Sequence, residues 1–355
     1  MKHVRPNIEK MPPYVPGEQP PEGAKVIKLN TNENPYPASP QAMKVLRELD
    51  GERLRLYSDP TSRRFCQAAA KALGVPVEWI IAGNGSDDLL SMIMLACAGP
   101  GRKVVYPVPT YVLYRTLAQM QEARIVEIPF DDDYRLPLRE LIAADGAVTF
   151  IARPNSPSGT AAPLEQVERL IRGVTGLVVL DEAYVDFAED DGLELARKYD
   201  HVVSLRSLSK GYSLAGLRLG FGVARNAALR EQLIKVKDSY PVDTVACLVG
   251  AAAMADQAYK DANAAKVKAS RARLTADLQK LGFRVWPSQS NFLLAQAPAG
   301  AGAGVTAEQI YKGLKERSIL VRYFKEPRLD DKLRITAGTD DQNAALIAAI
   351  AELLK

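Results

Sequence analysis

Apolar and polar positions along the chain alternate between two periods, and the alternation predicts strands and helices in turn. Gly176-Leu177-Val178-Val179-Leu180 is a continuous apolar run, as expected for a strand covered on both faces. Lys103 to Tyr106, Arg124 to Ile128, Ala147 to Ile151, His201 to Leu205 and Arg218 to Val223 read as further strands. Between them, Asp88 to Cys97 reads as a helix capped by Gly85-Ser86-Asp87, followed by helices over Tyr111 to Met120 and near Pro163 to Arg172. This order predicts an α/β fold: an open, mostly parallel sheet with helices on both faces. Such sheets bind ligands beyond the carboxyl ends of their strands.

The pattern changes near residue 245. Asp243 to Leu281 reads as one long, alanine-rich helix. Phe283 to Trp286, Asn291 to Ala295, Ile319 to Tyr323 and Leu333 to Thr336 then read as strands between helices, and Ala297 to Gly304 as a surface loop. The expected organisation is therefore a proline-rich arm over 1–40, a large domain over 41–245 and a smaller α+β domain over 246–355. The arm is extended and needs another surface, either the small domain or a partner subunit.

Composition narrows the chemistry. At 355 residues, with 47% hydrophobic and 25% charged positions, the chain reads as a soluble globular protein able to bury a large core. Its net charge of +4 is spread without a basic stripe, which excludes a nucleic-acid partner and leaves a mild field favouring phosphorylated or carboxylated substrates. Three dispersed cysteines without a CxxC pair suggest a reducing compartment and no structural zinc. No apolar signal core or membrane-length apolar run occurs, so a cytoplasmic protein with no membrane partner is expected. Only His3 and His201 are present, which excludes histidine triads and histidine-rich metal sites. The chemistry must use Lys, Asp, Tyr, Arg or a borrowed cofactor.

Lys210 is the leading candidate. In Ser207-Leu208-Ser209-Lys210-Gly211-Tyr212-Ser213-Leu214-Ala215-Gly216-Leu217-Arg218, an amine hangs at a strand end among hydroxyls. A lysine in a dry site beside another cation attacks carbonyls, while the hydroxyls and Arg218 suit a phosphate. An aldehyde that carries a phosphate is pyridoxal phosphate. The competing reading is a solvated lysine in a polar loop. The S-x-x-K match to penicillin-recognising enzymes lacks its S-D-N and K-T-G partners and is rejected.

Other polar clusters fall at strand ends too. Asp181 closes the apolar run, where a carboxylate either holds a proton on a pyridine nitrogen or caps a helix. Tyr184 follows three residues later, within reach of a ring oxygen. Asn155 sits between Pro154 and Pro157, a stiff loop that presents its amide or simply turns the chain. Gly83-Asn84-Gly85-Ser86-Asp87 opens a helix with N–H groups that suit an anion. Tyr111 either stacks on a flat ring or packs. Arg322 and Arg334 lie in apolar strands, where a buried cation needs an anionic partner: a salt bridge or a substrate.

Taken in order, Asn30-Thr31-Asn32-Glu33-Asn34-Pro35-Tyr36-Pro37, Tyr57, Gly85-Ser86-Asp87, Pro109-Thr110-Tyr111, Pro154-Asn155-Ser156-Pro157-Ser158-Gly159, Asp181-Glu182-Ala183-Tyr184, Ser207-Leu208-Ser209-Lys210 and Leu333-Arg334-Ile335-Thr336 resemble the fold-type I, pyridoxal-phosphate-dependent aminotransferases. Within them the resemblance is greatest to the histidinol-phosphate branch. It implies that Lys210 joins the cofactor aldehyde and shuttles the proton, and that Asp181 pairs with the pyridinium nitrogen. Asn155 and Tyr184 are implied to bind the ring 3-hydroxyl, and Tyr111 to stack on the ring. Gly85, Ser86, Asp87, Ser207, Ser209 and Arg218 are implied to hold the phosphate, with Tyr57 reaching it from the other subunit of a homodimer. Tyr14, Asn34, Arg322 and Arg334 are implied to contact substrate. Arg153 departs from the family's usual asparagine and is a further cation near the loop.

The function implied is transfer of an amino group between histidinol phosphate and 2-oxoglutarate or glutamate, in histidine biosynthesis. Rivals on the same scaffold are an aromatic amino-acid aminotransferase and a threonine-phosphate decarboxylase. A pyridoxal-phosphate-binding regulator without turnover is expected to carry a DNA-binding domain, and no such segment precedes residue 30.

Overall fold

The computed structural model describes residues 3–13, 17–298 and 304–355. In chain order its strands are β1 (Ile27–Lys28), β2 (Ile80–Gly83), β3 (Lys103–Val108), β4 (Arg124–Pro129), β5 (Val148–Ala152), β6 (Leu177–Asp181), β7 (Val202–Ser207), β8 (Gly220–Val223), β9 (Arg284–Val285), β10 (Phe292–Gln296), β11 (Ile319–Leu320), β12 (Arg322–Tyr323) and β13 (Lys332–Thr336). Seven form one sheet in the order β2-β8-β7-β6-β5-β3-β4. Only β8 runs antiparallel to its neighbours; the pairs β3–β4, β3–β5, β5–β6 and β6–β7 are parallel. The fold is thus the α/β, mostly parallel sheet that the apolar runs imply.

Strand β6 shows why a continuous apolar run marks the centre of this sheet. Val178 and Leu180 pack with Val105, Ile151, Leu170 and Ile171 on one face. Val179 packs with Leu89, Ile93, Tyr114 and Phe150 on the other. Successive side chains point to opposite faces, and helices cover both, so no position tolerates a polar residue until the strand ends at Asp181.

The helix Ser86–Cys97 begins against β8 at close range. A Cβ on Gly220 would lie 2.3 Å from the Ser86 amide nitrogen, so only glycine lets the strand approach the helix start. Gly85, the residue before the helix, has φ +82°, a conformation that favours glycine again.

The expected helix over Asp243–Leu281 is two helices, Thr244–Ala255 and Gln257–Lys280. Asp256 breaks it with φ −105° and ψ 57°, and its carboxylate accepts a 2.5 Å hydrogen bond from Ser39. No proline or glycine marks the break, so a tertiary contact is its visible partner. The first helix places Ala246, Cys247, Val249, Ala253 and Met254 with Phe65 and Phe221. It therefore packs with the seven-stranded sheet, although the alanine-rich stretch begins there. The stretch Ile319–Tyr323 also divides. β11 pairs with β1, while β12 joins the four-stranded sheet β12-β13-β10-β9.

The N-terminal helix Pro6–Lys10 lies on its own chain: Asn7 donates to the Gln119 carbonyl at 3.1 Å and Arg5 to that of Met120 at 3.2 Å. Those carbonyls end the helix Leu113–Met120, where the Gln119 carbonyl also accepts from the Glu122 amide at 3.1 Å. Among the described residues no helix is long and apolar enough to cross a membrane, and none of the acidic, cysteine and histidine side chains group as metal ligands.

Candidate active site

The carboxyl ends of β6 and β7 and the start of the helix Ser86–Cys97 bring the predicted residues to one region. Lys210 follows β7, three residues beyond its end. Its Nζ donates to the Thr31 carbonyl at 3.3 Å and lies 5.6 Å from the Tyr184 ring centre. Asn34 donates to the main-chain carbonyls of Lys210 (3.1 Å) and Gly211 (3.4 Å), and its Oδ1 accepts from the Tyr36 amide at 3.1 Å. Through these partners the amide clamps the turn that carries Lys210.

Asp181 is 6% exposed at the end of β6. Its Oδ2 accepts from the Tyr114 hydroxyl at 2.6 Å and its Oδ1 from the Ala183 amide at 3.3 Å. Burial pushes its pKa up to about 6, although both hydrogen bonds oppose that shift. A carboxylate in this state favours a cation close by. The capping alternative finds little support, because the nearest helical turn, Val185–Phe187, has Tyr184 before it and no side-chain cap.

Tyr184 accepts a 2.9 Å hydrogen bond from Asn32 and packs edge-on against Phe292. The hydroxyl keeps its own proton to donate. Asn155 is buried; it donates to the Pro109 carbonyl (3.2 Å) and to Ser158 (2.9 Å), and accepts from Thr110 (2.7 Å). These three bonds fix the amide at the mouth between β3 and β5. Tyr111 donates to Asp87 at 3.1 Å.

At the other end of the site Arg218 donates to Ser209 at 3.4 Å and to Asp87 at 3.3 Å. Its φ of 53° is left-handed, an uncommon state for a non-glycine residue that aims this guanidinium at the helix start. A Cβ on Gly85 would meet that guanidinium at 2.8 Å. The helix start has no side-chain cap, so the first N–H groups, Ser86 and Asp87 among them, stay available. Ser207 accepts from the Ser209 amide at 3.1 Å. A guanidinium, hydroxyls and helix N–H groups form a cradle for an anion.

Arg322 and Arg334 are register partners on β12 and β13. Both guanidinium groups lie over the Phe324 ring, at 5.3 and 5.7 Å. Arg334 also donates to the Asn30 carbonyl at 2.8 Å and to Ser156 at 3.2 Å. Arg153, by contrast, turns away from the site. It is 1% exposed, pairs with Asp190, and donates to the Ala162 carbonyl at 2.7 Å. It braces the loop. Tyr57 is 84% exposed and stacks on Tyr240 at 4.6 Å, outside this cluster. Tyr14 lies outside the described residues.

The segment Asn30–Asn34 stitches these pieces together. Besides the contacts above, the Asn32 amide donates to Thr336 at 3.1 Å and its carbonyl accepts from Asn291 at 2.9 Å. Tyr114 and Asn32 carry contacts that the sequence reading did not assign. The signal for Tyr114 was its place three residues after Tyr111, in the stretch Tyr111 to Met120 that reads as a helix.

Residues 24–350 match the family model of class I and II aminotransferases. The chain belongs to that family. It is 58% identical over 353 residues to histidinol-phosphate aminotransferase 1 of Trichormus variabilis, covering 99% of both chains. A crystal structure of the histidinol-phosphate aminotransferase of Sinorhizobium meliloti in complex with pyridoxal-5'-phosphate is similar at TM-score 0.90, with 27% identity, covering 100% of this chain and 98% of that one. A variant of Thermus thermophilus aspartate aminotransferase shares the fold at TM-score 0.82 and 16% identity, with both chains fully covered. For an aminotransferase the site has the chemistry required: an amine, an anion cradle at one end and a buried carboxylate at the other.

Proposed function

We propose that this aminotransferase uses pyridoxal 5'-phosphate to move an amino group between histidinol phosphate and 2-oxoglutarate. The observation that carries the reading is the set of three groups at the strand ends: the Lys210 amine, the buried Asp181 carboxylate and the cradle at Arg218 and Ser86. Their charges complement a flat cofactor with a phosphate at one end and a protonated ring nitrogen at the other. The 58% identity to a histidinol-phosphate aminotransferase over 99% of the chain supports the substrate.

When bound, the cofactor supplies an aldehyde for amines and a ring that draws electrons from the substrate α-carbon. The chain's residues do the rest. Lys210 would move the proton between that carbon and the cofactor's C4′, from a turn held by Asn34. Asp181 keeps the proton on the ring nitrogen, which preserves the ring as an electron sink. Asn155 and Tyr184 orient the ring through its 3-hydroxyl, and Tyr111 covers one face. Ser207, Ser209, Arg218 and the N–H groups of Ser86 and Asp87 bind the phosphate. Arg322 and Arg334 receive the anionic end of the substrate: a phosphate in one half-reaction, a carboxylate in the other.

We assign a homodimer in which Tyr57 completes the phosphate site of the partner subunit. Its exposure supports this: Tyr57 stacks on Tyr240, and both are exposed, as are Leu54 and Leu56 just before it in the chain. The cytoplasm is the compartment that three free thiols suit. A panel of amino donors tests the substrate: turnover with histidinol phosphate is expected, and turnover with phenylalanine alone would move the enzyme to another branch.

A further inference from the structure

Tyr114 holds a position that no role above explains. It sits on the first turn of the helix Leu113–Met120, with no exposed surface. Its ring stacks on Phe150 at 4.7 Å and meets Tyr106 and Tyr111 edge-on at 5.8 and 5.7 Å. Three aromatic neighbours leave the ring one orientation, and that orientation aims the hydroxyl at Asp181 Oδ2, 2.6 Å away. A phenylalanine would fill the same space. The hydroxyl is therefore held for its hydrogen bond rather than for packing.

We propose that Tyr114 is a positioning residue for Asp181: its hydroxyl fixes one carboxylate oxygen and keeps the group ionised, so that the carboxylate can hold the cofactor's ring nitrogen. The inference rests on the role given to Asp181 above. Burial favours the neutral acid, and a neutral acid cannot hold a proton on a pyridine nitrogen by charge. Two other acids, Asp87 and Glu182, act in the same direction as burial. Each has its own cation: Arg218 lies 3.3 Å from Asp87, and Arg206 lies 3.3 Å from Glu182. Ser204 also donates to Glu182 at 2.6 Å, and Tyr111 to Asp87 at 3.1 Å. Against burial, Asp181 itself has the Tyr114 hydroxyl and the Ala183 amide. The Tyr114 bond is much the shorter, and a bond donated to an anion favours the anion.

The sign follows. Tyr114→Phe removes a donor to the ionised form, so the Asp181 pKa rises. At any acid pH more of the carboxylate is then neutral, and the acid limb of cofactor affinity moves to higher pH. A shift of about one unit corresponds to a tenfold change in affinity where that limb applies.

The test is a cycle of Tyr114→Phe, Asp181→Asn and the double variant, each purified with cofactor, stripped and retitrated with pyridoxal 5'-phosphate by absorbance across the acid range. Melting temperatures of the stripped proteins check folding. Tyr114→Phe is expected to weaken affinity about tenfold in the wild-type background and by less than about twofold beside Asp181→Asn. Replacing Tyr114 by 3,5-difluorotyrosine, whose hydroxyl is the stronger donor, is expected to move the acid limb the opposite way. An equal loss in both backgrounds, or an acid limb that neither change moves, would overturn the proposal and leave Tyr114 as packing. Wild-type affinity and turnover in Asp181→Asn alone would instead remove the role of Asp181, a different result from the failure of Tyr114.

Discussion

Arg322 and Arg334 stand directly opposite each other on neighbouring antiparallel strands. Like charges in that relationship repel, and the shared Phe324 ring moderates the repulsion only in part. Two convergent cations fit a substrate that brings two negative charges on a phosphate. Arg334→Ala is expected to raise KM for histidinol phosphate about tenfold to a hundredfold, the value of one or two charge-assisted hydrogen bonds. Cofactor affinity stays within about twofold. Steady-state kinetics and cofactor titration check the two halves separately; an unchanged KM would make the pair structural.

Asp181 gives opposite pH dependences to two properties. Its pKa in the folded protein is about 6, above the 3.8 of an unperturbed aspartate. The folded form therefore binds the proton more tightly, and ionisation costs stability fully above pH 6. That cost is relieved as pH falls from 6 toward 3.8. In the cofactor-free protein, Asp181→Asn is expected to melt higher than wild type at neutral pH, with the gap closing in acid. Cofactor affinity of the wild type should instead fall below about pH 6, as the carboxylate is lost. Turnover of Asp181→Ala should drop by orders of magnitude. A melting gap independent of pH would contradict the buried, ionised carboxylate.

Tyr57 offers a test by mixing. Lys210→Ala and Tyr57→Ala each impair the site in every homodimer. In a hybrid, the subunit that retains Lys210 receives an intact Tyr57 from its partner. Co-refolding the two variants is expected to restore roughly a quarter of wild-type turnover, as one rebuilt site in half of the dimers requires. No recovery would place Tyr57 in its own subunit's site, and an active Tyr57→Ala homodimer would place it outside.

The thiols should be inert in the native state. Burial pushes Cys66 up to about 12 and raises Cys97 and Cys247 as well. Thiolate is the reactive form, so alkylation at pH 8 is expected to be slow for the native protein and fast after denaturation. Rapid native labelling of Cys66 would contradict the packing of the helix Arg63–Leu73 against Thr244–Ala255.

The fold was legible wherever one residue's burial depends on strand period. The continuous run at Leu177–Leu180 announced both covered faces and the strand end at Asp181. Breaks made by distant contacts were not legible: Asp256 turns the chain where Ser39 reaches it, from 217 residues away. The site followed the same division. Lys210 and Arg218 share one local stretch and were read together. Asn34 carries the same residue type in either role, and only its partners, the carbonyls of Lys210 and Gly211, show that it clamps the turn. Arg153 reads as a further cation near the loop, and only its partners, Asp190 and the Ala162 carbonyl, show that it is held in the wall. Nothing in the sequence separates Tyr114 from a tyrosine that only packs; its partner Asp181 lies 67 residues on.

The most direct test concerns Lys210. Cofactor-loaded enzyme is reduced with borohydride, digested and mapped by mass spectrometry. The expected result is one pyridoxyl group on the Lys210 peptide, and none in Lys210→Ala. A label on another lysine, or none on the wild type, would contradict the assignment of this amine as the group that holds the cofactor.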